Sequence, residues 1–159
     1  MNNIVIIGFM GSGKSFVGRE LAKHTHRFFI DSDVLISNQE DCSISDIFSL
    51  KGEKYFRELE GDFIKWAQGS LFNAIIATGG GMPIFNPLSG LGKVIYLEID
   101  FDAILKRLDP EQIAKRPLFQ NLCEARYLYE ERKSIYERVS DKIINANAPI
   151  EEIIKNILN

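Results

Sequence analysis

The chain has 159 residues, the size of one domain, and its 45% apolar and 26% charged residues suit a globular protein with a full core. That composition excludes disorder, collagen and coiled coil, and a formal charge of −3 argues against broad, charge-driven nucleic-acid binding. Two cysteines, Cys42 and Cys123, offer neither a disulfide framework nor a zinc spacing and predict reduced thiols in the cytoplasm. The first residues lack a signal-peptide pattern, and no run of 18 apolar residues predicts a membrane span.

Short apolar runs alternate with helical periodicity along the chain. Ile4 to Ile7 is a β-branched run stopped by Gly8 and reads as a buried strand. It leads into Gly8-Phe-Met-Gly11-Ser12-Gly13-Lys14-Ser15, which matches G-x-x-x-x-G-K-[ST]. Glycines there let backbone N–H groups approach phosphate oxygens, and the following helix points its positive end at them. Lys14 supplies a mobile charge for the β- and γ-phosphates, and Ser15 a hydroxyl for Mg²⁺. The dinucleotide pattern G-x-G-x-x-G is not met, because Phe16 stands at its last position. The motif predicts a nucleoside triphosphate, ATP, without naming the acceptor.

Phe28 to Ile30 predicts a second strand, ended by Asp31. Asp31 and Asp33, read as i and i+2 of an extended segment, share a face toward the phosphate loop. There a metal and a nucleophilic hydroxyl need oxygen ligands and a base; an ordinary helix cap is the plain alternative for either residue. Residues 31–62 hold nine acids and three bases, most of them expected on a solvated helix face. Within this stretch Ser43-x-x-Asp46 resembles a capping box, and Glu60 at i+3 from Arg57 is placed to orient its guanidinium. Trp66, Cys42 and Cys123 read as packing residues.

Residues 73–78 predict a third strand, followed by Gly79, Gly80 and Gly81, whose amides are open to a ligand. No aspartate ends that strand, so Asp31 is expected to take the metal role through water. Residues 94–99 predict a fourth strand, and Phe101, Ile104, Leu105 and Leu108 a helix stripe with Asp100 at its cap. Residues 109–120 carry two prolines and no helical stripe, and read as a lid bearing Lys115 and Arg116. A lid arginine closing over the transferring phosphoryl would stabilise its charge. Asn121-x-x-Glu124 opens a helix through about Arg138 that carries Arg132; 142–145 predicts a fifth strand; and Ile150 to Leu158 a final amphipathic helix after Pro149. Alternating strands and helices predict an α/β fold with a parallel sheet covered on both faces, whose ligands bind beyond the C-terminal strand ends.

Together Gly8–Ser15, Asp31-Ser32-Asp33, Phe56-Arg57-x-x-Glu60, Ala77-Thr78-Gly79-Gly80-Gly81, Arg116-Pro117-Leu118 and Arg132-x-x-x-Tyr136 resemble the shikimate kinases. The resemblance implies a three-layer P-loop kinase fold over 1–159, with a five-stranded parallel sheet in order 2-3-1-4-5. The acceptor segment would span about 32–61 and the lid about 109–120. It implies Mg²⁺-dependent transfer of the ATP γ-phosphoryl to the 3-hydroxyl of shikimate; the protein is expected to be a cytoplasmic monomer. Position by position, Gly11, Ser12, Gly13, Lys14, Ser15 and Phe16 would hold ATP phosphates, with Ser15 on the metal. Asp33 would bind shikimate hydroxyls and act as candidate base. Arg57 and Arg132 would grip the carboxylate, Gly79 to Gly81 would line the ring, and Arg116 would bridge lid and phosphates. Lys14, Asp33 and Arg116 thus form the expected catalytic set. The chain departs from many relatives at Leu118-Phe119 and at Ile144-Asn145, near the expected adenine end, where Arg107 is the candidate contact. A gluconate or nucleoside monophosphate kinase, and a non-catalytic nucleotide-dependent module, are the competing readings. Acceptor preference separates the first from shikimate kinase, and an intact acceptor site argues against the second.

Overall fold

The computed structural model describes residues 2–114 and 117–159, so Lys115 and Arg116 lie outside the described residues. Five strands form one parallel sheet: β1 (Ile4–Ile7), β2 (Phe29–Asp31), β3 (Ile75–Ala77), β4 (Lys93–Glu98) and β5 (Lys142–Asn145), in order β2-β3-β1-β4-β5. β1 is central and wholly buried, with Ile4 paired to both Ile75 and Lys93 and Ile6 to Ala77 and Ile95. An all-apolar strand is what a sheet covered on both faces requires. A buried Asn3 anchors its start, donating to the carbonyls of Leu71 and Leu91 at 2.9 Å each and accepting from the Ala74 N–H at 3.0 Å.

The helices are α1 (Lys14–Thr25), α2 (Ser32–Glu40), α3 (Ile44–Ser70), α4 (Met82–Phe85), α5 (Phe101–Arg107), α6 (Pro110–Ala114), α7 (Leu122–Val139) and α8 (Ile150–Leu158), with a 3-10 turn at Pro117–Gln120. Gly52, at φ 85°, breaks α3 into two helical stretches. The stripe expected in α8 is buried as Ile153, Ile154 and Ile157. The Ser43 hydroxyl accepts from the Asp46 N–H at 3.1 Å, and Asn121 caps α7 through the N–H groups of Cys123 and Glu124. Asp100 occupies the cap position of α5 but its side chain makes no capping bond.

Residues 109–120 were expected to lack a helix, yet α6 forms, because Pro110 suits a first helical turn and the Asp109 carbonyl accepts from the Ile113 N–H at 3.0 Å. Phe28 was expected inside β2 and is 88% exposed, the strand being shifted one residue on. Trp66 is 45% exposed and Cys123 is exposed, so neither is a core residue. Phe119, in contrast, is buried in an edge-to-face aromatic cluster with Phe9 of the phosphate loop, Phe101 and Tyr129. Through Phe119 the 3-10 turn is thereby packed directly onto the loop that follows β1.

Candidate active site

The C-terminal ends of β1, β2 and β3 bring their loops to one edge of the sheet. After β1, the loop Gly8–Gly13 turns with Gly11 at φ 82° and Gly13 at φ 92°, a conformation that favours glycine, and delivers Lys14 and Ser15 to the first turn of α1. The Lys14 ammonium donates to the carbonyls of Gly8 and Phe9, at 2.8 and 3.0 Å, and so stands over the concave side of the loop. Ser12 is buried, and Phe16 is 54% exposed at the rim.

Asp31 ends β2 and caps α2. Its Oδ1 accepts from the N–H groups of Asp33 (3.1 Å) and Val34 (3.4 Å), while its Oδ2 accepts from the Ser15 hydroxyl at 2.6 Å. The cap and the loop contact are therefore one carboxylate serving both. Asp33 lies in the first turn of α2, not in an extended segment with Asp31 as the sequence reading had it. The Asp31 cap starts the helix immediately, and a helical turn is what brings both carboxylates to the same cavity. That cavity, about 730 Å³, runs from the phosphate loop past Asp31, Asp33 and Gly79 to Arg107 and Ile153. Arg107 is fixed at its far wall by bonds to the Ala146 carbonyl and, at 3.1 Å, the Asn147 amide oxygen.

Beyond Asp33 the glycine turn after β3 forms the next wall. The Gly79 N–H donates to the buried Ser32 hydroxyl at 3.1 Å. A Cβ on Gly79 would meet Asp33 Oδ1 at 2.5 Å, and one on Gly81 would meet the Arg57 Cζ at 2.7 Å. The turn is glycine because a carboxylate and a guanidinium lean directly on its backbone. Arg57 is held by Glu53 (2.9 Å), Glu60 (2.9 Å) and three aromatic rings, of which Phe85 is nearest at 4.2 Å from its centroid, with Phe56 and Phe48 at 5.3 and 5.6 Å. Arg132, on α7, lines a groove shared with Phe85. Arg57, Gly81 and Arg132 do not line the large cavity itself; Gly81 and Arg57 follow Gly79 and Gly80 of its wall along the glycine turn.

The electrostatics mark this end as built for a ligand. Asp33 Oδ1, Glu60 Oε1 and Arg132 Nε are buried with no hydrogen-bond partner among the described residues. Such orphaned atoms are costly unless something else satisfies them. Burial, and then the neighbouring Asp31 charge, hold the Asp33 carboxyl above the usual carboxylate range, with Lys14 and Arg57 pulling the other way. Glu60 is fully buried, and burial pushes its carboxyl up to about 7 despite the Arg57 bond. Most of the acidic stretch is solvated as expected; Glu60 is not.

Of the expected site residues, Gly11 to Phe16, Asp31, Asp33, Gly79 and Gly80 line one cavity, Arg57 leans on Gly81 at the end of the same glycine turn, Arg132 lines a neighbouring groove with Phe85, and Arg116 lies outside the described residues. Sequence reading missed Glu53, Ser32 and Phe85. Glu53 was readable from its i,i+4 spacing to Arg57, whereas Phe85, 28 residues on, had no local signal.

A phosphate loop on the central strand, in a 2-3-1-4-5 sheet, beside a carboxylate and paired arginines, defines a P-loop kinase for a small acidic acceptor. Comparison with known proteins agrees. The family model described as shikimate kinase matches residues 10–159. A shikimate kinase of Helicobacter hepaticus is 49% identical over 99% of this chain and 95% of its own. A crystal structure of the Aquifex aeolicus shikimate kinase (TM-score 0.83, 37% identity, covering 98% of this chain and 94% of that one) and a solved structure of the Acinetobacter baumannii shikimate kinase in complex with shikimate (0.86, 32%, 99% and 91%) share the fold. The chain belongs to the shikimate kinase family and is an ATP-dependent kinase.

Proposed function

We propose that the chain transfers the γ-phosphoryl group of ATP to the 3-hydroxyl of shikimate, giving shikimate 3-phosphate and ADP. The observation that carries this reading is the glycine turn on which Asp33 and Arg57 both lean, adjoining the phosphate loop. One carboxylate and three hydroxyls on the acceptor match two guanidinium groups, an aspartate and free backbone amides.

In this reading Gly11, Ser12, Gly13, Lys14, Ser15 and Phe16 bind the triphosphate, and Arg107 borders the adenine end. Arg57 and Arg132 bind the acceptor carboxylate, and Gly79 to Gly81 line its ring. Asp33 accepts the proton of the 3-hydroxyl as the oxygen forms its bond to the γ-phosphorus and the bond to ADP breaks. Its raised pKa makes it a better proton acceptor than an ordinary aspartate. Arg116, in the segment 109–120 that we take as the lid, supplies charge to the transferring group. Ser15 Oγ and Asp31 Oδ2, 2.6 Å apart, suit Mg²⁺, a hard cation that takes few protein oxygens and keeps waters and phosphate ligands. Ser15 would ligate it directly and Asp31 through water; when bound, it neutralises phosphate charge. The chain acts as one catalytic unit over 1–159, as a cytoplasmic monomer without nucleic-acid or membrane partners; no helix among the described residues is long and apolar enough to cross a membrane.

A coupled ADP-release assay offering shikimate, gluconate and AMP separately tests the reading: turnover is expected with shikimate, and preference for either competitor would refute it. Arg57→Lys is expected to raise the shikimate KM about ten- to hundredfold, because a point charge does not replace a fork held by Glu53 and Glu60. An unchanged KM would remove Arg57 from acceptor binding. Gly81→Ala is expected to displace the same guanidinium and cost about a hundredfold in kcat/KM for shikimate, leaving ATP affinity near wild type. Titration of nucleotide and acceptor separately checks that split.

A further inference from the structure

Tyr136 has no part in the roles above. It is fully buried on α7, one turn after Arg132, with its ring centroid 5.2 Å from that of Tyr96. Its hydroxyl donates to the Gly80 carbonyl at 2.7 Å. The turn it reaches is otherwise held by the Gly79 N–H on Ser32 (3.1 Å), the Met82 N–H on the Gly79 carbonyl (3.2 Å) and the Ile84 and Phe85 N–H groups on the Gly81 carbonyl (2.9 and 3.3 Å), none of which touches the peptide plane between Gly80 and Gly81. Among the described residues, Tyr136 is the sole partner of the Gly80 carbonyl, and the N–H groups of Gly80 and Gly81 donate to no protein atom. Three successive glycines have no side chains to fix their peptide planes. In a planar trans peptide the C=O of one residue and the N–H of the next point in opposite directions. A bond on the Gly80 carbonyl therefore sets the direction of the Gly81 N–H.

We infer that Tyr136 is a positioning residue for the acceptor: by tying the Gly80 carbonyl to α7, it orients the Gly81 N–H, beside the Arg57 guanidinium, to donate to the bound acid. The tie also sets the spacing between the turn and α7, and hence where Arg132 stands. Burial pushes the phenol up to about 12, with Arg132 as the main opposing influence, so the hydroxyl remains a donor at any working pH. The inference rests on shikimate being the acceptor.

The test is Tyr136→Phe, which keeps the ring and deletes the donor. The shikimate KM is expected to rise about tenfold while the ATP KM moves by less than about twofold, the loss expected for one hydrogen bond. Fluorotyrosine incorporated at position 136, which retains the hydroxyl, is expected to restore near-wild-type constants. Unaltered kinetics well below a lowered melting temperature would make Tyr136 merely structural and overturn the inference, as would equal rises in both KM values. Should the Phe variant not fold, the amide resonance of Gly81 in wild-type enzyme provides the readout. A large shift on shikimate saturation is expected, and an unmoved resonance overturns the inference. Wild-type enzyme inert toward shikimate would sink the acceptor reading and this inference with it, whereas an active wild type with unaltered Tyr136→Phe kinetics sinks the inference alone.

Discussion

Lys14→Met is expected to yield a folded protein whose kcat is lower by about a thousandfold or more. Removing a single neutral donor aimed at developing charge costs about 10²–10³ in rate, and Lys14 carries a full charge over the loop that cradles the phosphates. Its ammonium also bonds the Gly8 and Phe9 carbonyls, so the substitution removes two hydrogen bonds from the loop at about 1 kcal/mol each. The loop keeps its shape through other contacts: Ser12 N–H to the Phe9 carbonyl at 3.1 Å, Val17 N–H to the Gly13 carbonyl at 2.9 Å, and Phe9 inside its aromatic cluster. Thermal melting within a few degrees of wild type, alongside lost ADP release, is the expected pair of measurements. Wild-type turnover would take the loop out of the mechanism.

The second large effect belongs to Asp33. Asp33→Asn preserves shape and removes both the proton acceptor and the charge, and kcat is expected to fall about 10²–10⁴-fold. The pH dependence fixes the sign. Only the ionised carboxylate accepts the hydroxyl proton, so wild-type kcat/KM is lost as pH falls through the Asp33 pKa and reaches its plateau above it. Because burial and Asp31 raise that pKa, the acid limb should lie above the ordinary carboxylate range. The asparagine variant should show the low rate without this limb. A wild-type profile whose acid limb sits at an ordinary aspartate value would contradict the assignment, as would an unchanged limb in the variant.

What the sequence revealed and what it concealed divide along contact distance. The phosphate loop was legible because its chemistry is contiguous: strand, glycines, lysine and helix follow one another within fifteen residues, and β1 is unmistakable as four β-branched residues. The sheet order entered with the family resemblance, and the observed pairing of β1 with β3 and β4 matches it. The pairing of Arg57 with Glu60 was readable at i+3, but the burial of Glu60 was not, since it depends on the elements distant in sequence that pack against α3, α2 and α4 among them. Asp31 and Asp33 were expected to converge, and they do, though through a helical first turn in place of an extended face. Alternation fails there because Asp31 caps α2 at once. The turn from Gly79 to Gly81 was recognisable as open backbone. Its reason, that Asp33 and Arg57 occupy the space a Cβ would need, joins residues 46 and 24 positions apart. Phe85, 28 residues from Arg57, had no local signal, and Tyr136 was quoted only as part of the Arg132-x-x-x-Tyr136 motif, with its bond to Gly80, 56 positions away, unforeseen. Residues 109–120 misled for the opposite reason: a short helix needs only one suitable first turn, and α6 is too short to display a stripe.

The Glu60 carboxyl sharpens this view of the acceptor end. A 2.9 Å ion pair would ordinarily stabilise its charged form, yet burial outweighs Arg57. The folded state therefore binds the proton more tightly than the unfolded chain does. Its contribution to stability is greatest at low pH and is lost as pH rises from the ordinary glutamate value through about 7. Such a strained arrangement suits a guanidinium held ready for an incoming carboxylate.

The central claim is that triphosphate and acceptor meet at Asp33, between the phosphate loop and the glycine turn. A crystal structure of the enzyme with shikimate, Mg²⁺ and a non-hydrolysable ATP analogue measures it directly. The 3-hydroxyl oxygen should lie about 3–3.5 Å from the γ-phosphorus, within hydrogen-bonding reach of Asp33, with the acid's carboxylate on Arg57 and Arg132. Shikimate bound elsewhere, or turned so that its carboxylate faces Asp33 and its 3-hydroxyl faces solvent, would contradict the account.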